Sequence, residues 1–267
     1  MKGLSAAEIT LIDLGVSEPS EIDLEAIAWT LGTHIRYRPL DMCEARIIGH
    51  GDQAIITINS QSNPRRQRFS LAHELGHWRY HRGDLLVCQT EDIGNKGNGS
   101  SSMERVADTY AADILMPCYL FQPIVRTFPK ITFQTVRTLA DTFRTSLTST
   151  AIRLVEKGSF PAILICHDPQ GRKWFVRSPD VPDRWFPKKE LDSDSYAFDI
   201  LFGRNSDDSM PHKIEADAWF DRQEAAKYEV LEQTIRIGEK EILSIISIDD
   251  GDMLEERNTS GNWRTYR

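Results

Sequence analysis

An α+β chain in three parts is the expectation, and three observations point to it. Residues before Gly158 carry apolar side chains mostly at helical spacing, interrupted by one cluster of strand-like runs. Gly51-Asp52 lies between two of those runs, where a hairpin turn fits. After Gly158 the texture changes to short β-like stretches separated by polar and Pro-rich links. The expected divisions are a first folded unit over 1–125, a helical pair over 126–157, and a β-rich α+β domain over 158–267.

Two short helices open the chain, over 6–14 and 21–32. In the second, Ser20 is a candidate cap, Leu24, Ile27, Ala28 and Leu31 share a face, and Gly32 stops the helix. Strand-like runs follow at His34–Leu40, Arg46–Gly49 and Ala54–Asn59, the last either an edge on which a substrate lies extended or an internal strand of the small sheet. Asn63-Pro64 then supplies a cap and a first helical residue for a helix reaching about Arg82, where Gly83 ends it. Residues 89–102 are Gly-, Asn- and Ser-rich and suit a loop; Ser101 or Ser102 caps the next helix, Met103–Leu115, and Pro117 closes it. A short helix or turn is expected over 118–127, then two helices within 132–157 joined near Arg144–Ser146. Beyond Gly158, strands are expected at Ala162–Cys166, Lys173–Val176, Tyr196–Phe202, Ile214–Ala218 and Ile242–Ile248, with one helix at Arg222–Gln233.

Hydrophobic residues make up 40% and charged residues 27% of the 267, ordinary for a soluble globular protein. No apolar run approaches a membrane span, and the N-terminus lacks the pattern of a signal peptide. Cys43, Cys88, Cys118 and Cys166 are scattered, without a C-x-x-C pair, which favours reduced thiols and a cytoplasmic location. The net charge of −8 is uneven: residues 1–157 hold 17 Lys/Arg against 18 Asp/Glu, residues 158–267 hold 15 against 22. Such acidity does not suit a general nucleic-acid binder, although residues 126–157 hold 6 Lys/Arg against 2 Asp/Glu.

The chemistry centres on His73-Glu74-Leu75-Gly76-His77, an H-E-x-x-H motif in a helical stretch. Four residues make about one helical turn, so both imidazoles leave the same face and can take two corners of a zinc tetrahedron. Glu74 is then placed to act as the base toward water. A catalytic zinc wants a third protein ligand, and Glu104 in the first turn of the next helix is the best candidate. Asp108, one turn further on, is placed to accept from the far nitrogen of a ligating histidine. His81 is a poor third ligand: eight residues separate it from His73, about 12 Å along a straight helix. It suits the C-terminal end of a helix dipole instead. The metzincin spacing fails, because Tyr80 and Gly83 stand where Gly and His would be needed. Tyr80 and Tyr110 are candidates for stabilising a developing oxyanion, although packing alone explains amphipathic aromatics as well.

These residues carry a family resemblance. Arg68-Phe69-Ser70-Leu71-Ala72-His73-Glu74-Leu75-Gly76-His77, then Glu104, then Ala111-Ala112-Asp113-Ile114-Leu115-Met116-Pro117, resemble the ImmA/IrrE metallopeptidases. The resemblance implies a zincin-like minimal metallopeptidase domain, a small antiparallel sheet with the helices that carry the site, of gluzincin type. It implies His73, His77 and Glu104 as metal ligands, Glu74 as catalytic base, and one Zn²⁺, with Mn²⁺ or Fe²⁺ also compatible with the ligand types. It further implies limited proteolysis of a cytoplasmic, XRE-like helix-turn-helix repressor, releasing stress-response or mobile-element genes. Two positions depart from the family pattern: Asp108 replaces the usual Asn, and Tyr110 the usual Phe.

Two other readings compete. Leu139, Ala140, Phe143, Leu147, Ile152 and Leu154 have the apolar spacing of a helix-turn-helix, so a DNA-binding regulator is conceivable. Against it, Arg144 occupies the turn where Gly would be easier, and the reading helix offers mostly Thr and Ser with Arg153. A partner that binds a repressor or toxin without cutting is the other, and the intact ligands and base argue against it.

Overall fold

A computed structural model describes residues 3–82, 102–203 and 210–255. The expected loop at 89–102 falls outside these residues except for Ser102, as do Gly83, Cys88 and Ser101. The chain divides into two compact units, Met1–Gly158 and Ser159–Arg267, so the helical pair at 126–157 lies within the first.

The first unit begins with α1 (Ala6–Asp13), capped by Ser5, and α2 (Leu24–Thr30). The cap of α2 is Asp23, whose carboxylate accepts from the Glu25 and Ala26 amides; Ser20 lies instead in a short 3₁₀ turn, Pro19–Glu21. A carboxylate one residue ahead of the helix satisfies its open amides and its dipole together, which Ser20 is too far away to do.

Three strands follow: β1 (Thr33–Arg38), β2 (Ala45–His50) and β3 (Gln53–Asn59). β2 and β3 form the expected hairpin, with Gly51 at φ +58° in the turn, where a side chain would be strained. The sheet is mixed, not wholly antiparallel: its order is β1-β3-β2, and β1 runs parallel to β3. Ala54–Asn59 is therefore the central strand, the internal one of the two placements open to it. The apolar alternation Ala54, Ile56, Ile58 is buried, as a strand paired on both sides requires.

Asn63 caps α3 (Pro64–Tyr80) through the Arg66 amide. α3 packs against α4 (Ser102–Leu115), and Gly76 sets how closely. A Cβ on Gly76 would lie 2.9 Å from Ala107 Cα and 3.2 Å from Tyr110 Cβ. α5 (Cys118–Val125), α6 (Phe133–Phe143) and α7 (Leu147–Lys157) complete the unit.

The second unit is built on a five-stranded antiparallel sheet ordered β5-β4-β8-β7-β6. Its strands are β4 (Ala162–Asp168), β5 (Gly171–Arg177), β6 (His212–Glu215), β7 (Glu229–Arg236) and β8 (Ile242–Ser247). Two expectations are overturned here. Tyr196–Phe202 is a helix, α8, and most of Arg222–Gln233 is not. That stretch holds a 3₁₀ turn at Ala225–Lys227 and then the start of β7. Ile214–Ala218 also splits, into the end of β6 and a 3₁₀ turn at Ala216–Ala218. One buried carboxylate links the corrected elements: Glu232 on β7 accepts from the Ala197 amide in the first turn of α8 (2.6 Å) and from the Trp219 indole (2.9 Å). A four-residue helix, α9 (Gly251–Leu254), follows β8.

Candidate metal centre

α3 is buried from Ser70 to Trp78, an unusual fate for a stretch containing two His and a Glu. Polar side chains inside a protein must be paired, and these converge on a neighbouring helix. His73 Nε2 lies 3.1 Å from Glu104 Oε2, His77 Nε2 lies 3.4 Å from Glu104 Oε1, and the two Nε2 atoms are 3.0 Å apart. A tetrahedral zinc with bonds of about 2.0–2.1 Å needs ligand atoms about 3.3 Å apart. The three groups thus fit one metal ion, and among the described residues they form the cluster able to hold one.

Asp108 Oδ1 lies 2.9 Å from His73 Nδ1. The carboxylate keeps the ring proton on Nδ1 and leaves Nε2 to face Glu104 and His77. His77 has a different neighbour: its Nδ1 lies 3.2 Å from Nδ1 of His81. His81 is the C-cap of α3, the helix-end place expected for it, and it meets His77 from there. The signal was present in the sequence, since His81 follows His77 by the same one-turn spacing that pairs His73 with His77.

The two imidazoles respond oppositely to this setting. Burial disfavours the charged form of His73, but hydrogen bonds to Asp108 and Glu104 outweigh it and raise its pKa to about 9. Burial and the neighbouring His73 push His77 down to about 4. Despite burial, the same two histidines hold the Glu104 carboxyl below its usual range.

Glu74 is fully buried one residue from His73. Its charge is felt at the thiol of Cys43, whose pKa is raised first by burial.

Tyr80 and Tyr110 stack edge to face with centroids 6.0 Å apart. Tyr110 is buried against Arg79, Tyr80 and Thr10, and burial raises its hydroxyl to about 12. Tyr80 is half exposed near His81.

The helical pair does not present a reading helix. On α7, Thr150, Ala151, Arg153, Leu154 and Val155 are buried. Arg153 pairs with Asp113 at 2.9 Å and donates to the Met116 carbonyl at 2.7 Å. The one arginine available to read bases is consumed inside the unit.

Residues 28–155 match the family model of the IrrE N-terminal-like domain, Peptidase_M78. This segment, just under half of the chain, is similar to the IrrE N-terminal-like metallopeptidase domain. The radiation response metalloprotease IrrE of Deinococcus radiodurans is 27% identical over 164 residues, covering 60% of this chain and 49% of that protein. Its counterpart in Deinococcus deserti is 34% identical over 112 residues, covering 41% and 38%. The chain thus matches half or less of the length of these ImmA/IrrE relatives. A Mycobacterium tuberculosis transcriptional regulator shares the fold, with a TM-score of 0.54 at 13% identity, over 97% of this chain and 92% of that one. Among the described residues, no helix is long and apolar enough to cross a membrane.

Proposed function

We propose that the chain is a zinc-dependent endopeptidase making limited cuts in a helix-turn-helix repressor of the XRE-like kind. The observation that carries this reading is the convergence of His73, His77 and Glu104 on one point, with Glu74 buried on the same helix. The match to the IrrE N-terminal-like domain and the metalloprotease names of the relatives support it. Two imidazoles and a carboxylate suit zinc, which when bound supplies the Lewis acidity that activates water and polarises a peptide carbonyl. Glu74 accepts the proton of the attacking water and hands it to the leaving amine nitrogen. Asp108 holds His73 in the tautomer that leaves Nε2 free for the metal.

An extended substrate has a place to pair. β2 is an edge of its sheet, and its register with β3 directs the main-chain groups of Ala45, Ile47 and Gly49 outward. Cys43, whose thiol feels the charge of Glu74, lies two residues before this strand. The repressor as substrate, and release of stress-response or mobile-element genes in the cytoplasm, rest on the family likeness.

The test is to incubate the purified, zinc-loaded chain with a helix-turn-helix repressor encoded beside it. Cleavage is expected with the wild-type chain, while Glu74→Gln keeps the metal and loses the cut. A metal-loaded Glu74→Gln chain cutting at the wild-type rate overturns the assignment of the base.

A further inference from the structure

We infer that His81 is a positioning residue for the metal centre: it accepts the Nδ1 proton of His77 and thereby turns the Nε2 lone pair of His77 toward the ligand cluster. The inference rests on the proposed metallopeptidase reading and extends it to a residue outside the H-E-x-x-H motif.

The geometry divides the two nitrogens of His77 between two tasks. Nε2 faces His73 Nε2 at 3.0 Å and Glu104 Oε1 at 3.4 Å. Nδ1 faces away from them, toward Nδ1 of His81 at 3.2 Å. A neutral imidazole carries one N–H, so a metal at Nε2 requires the proton on Nδ1. His77 is 1% exposed, and a buried N–H without an acceptor is costly. His81 supplies that acceptor, provided its own proton sits on Nε2.

The backbone makes this possible. His81 lies just past α3 at φ −129°, ψ 34°, yet its amide still donates to the His77 carbonyl at 2.8 Å. This helical bond keeps His81 one turn below His77, and the two rings sit 5.3 Å apart. The same spacing keeps His81 from being a ligand itself. His73, His77 and Glu104 are the residues whose ligand atoms converge, and His81 is not among them.

The two ligands are consequently braced by different chemistry. His73 leans on the Asp108 carboxylate, and His77 on a second imidazole. An acceptor without negative charge orients His77 while adding no charge beside the zinc.

Zinc affinity of the full chain, stripped of metal and titrated with Zn²⁺ against a chromophoric chelator, provides the test. His81→Leu removes the acceptor and keeps the bulk, whereas His81→Asn places a carbonyl oxygen near the position of Nδ1. The leucine variant should bind zinc about 10–100-fold more weakly and the asparagine variant within about threefold of wild type, the usual range for a ligand's hydrogen-bond partner. The visible absorption of the Co²⁺-loaded proteins should follow the same order. Wild-type affinity in the leucine variant overturns the inference and leaves the metallopeptidase reading standing. So does an asparagine variant as weak as the leucine one, because that result marks His81 as mere packing. A wild-type chain that takes up no zinc overturns both.

Discussion

Two residues near the metal centre differ from the family pattern, and the structure treats them differently. Asp108 meets His73 Nδ1 at 2.9 Å, so its carboxylate does what the usual Asn amide oxygen could also do. Asp108→Ala should weaken zinc binding about 10–100-fold, and Asp108→Asn should lose much less, because it keeps an acceptor. Chelator competition separates the two; equal losses would show that charge, not orientation, is what His73 needs. Tyr110 lies by Arg79, Tyr80 and Thr10. Tyr110→Phe should therefore leave kcat within a factor of about two, against the 10²–10³-fold cost of removing an oxyanion donor. A loss of the larger size in steady-state cleavage would restore Tyr110 to the reaction. The types and spacing of His73, Glu74, His77, Glu104 and Asp108 were readable in one dimension because a helix converts spacing into direction. The spacing of His81 from His77 was equally readable, but which ring nitrogens meet is decided by the turn the chain takes as α3 ends.

Pairs of elements obey a different logic. Glu104 reaches the two histidines only because α3 and α4 lie close together, and Gly76 permits that approach. Gly76→Ala should cost about 1–3 kcal/mol in chemical unfolding, the usual penalty of overpacking. It should also weaken zinc binding by drawing Glu104 away. A stable Gly76→Ala chain with unchanged zinc affinity would mean that the helices can part without moving the site. Elsewhere, periodicity misled. Tyr196–Phe202 is rich in aromatic and β-branched residues, yet Ser195 caps it and Glu232 receives its Ala197 amide, so a helix wins. Residues 222–233 look helical by composition, but Val230, Gln233 and Thr234 are buried where β7 pairs with β6 and β8. Each local preference was overridden by partners far along the chain.

At the scale of the whole molecule, His167 in the second unit ties stability to pH. His167 is buried against Trp219, and burial, reinforced by nearby Arg172, lowers its pKa to about 4. Its folded value lies below the unfolded value of about 6.5, so the folded state binds fewer protons. The stability it leaves intact is fully present above pH 6.5 and is lost as pH falls toward 4, by on the order of 3 kcal/mol. Buried Glu232 works in the opposite sense, because burial raises its pKa and the folded state gains from its protonation. Comparing His167→Phe with wild type cancels the Glu232 contribution. The difference in stability between them, followed by tryptophan fluorescence from pH 7 to 4, should move in favour of His167→Phe. A difference that stays constant with pH would exclude His167 as the cause.

The order of residues in this chain settled whatever repeats at short range. The motif helix and its Asn63 cap, the hairpin at Gly51, the helical pair and its joint at Arg144 all depend on neighbours within a few positions. Tertiary structure alone decided which strand is central, that Ala45–His50 and not Ala54–Asn59 is the edge, and that Arg153 is spent on Asp113 inside the unit. It also decided that Glu232 organises one helix and one indole. The physical reason is burial: a polar group removed from water takes whichever partner the fold brings within reach, and that partner can lie anywhere in the sequence.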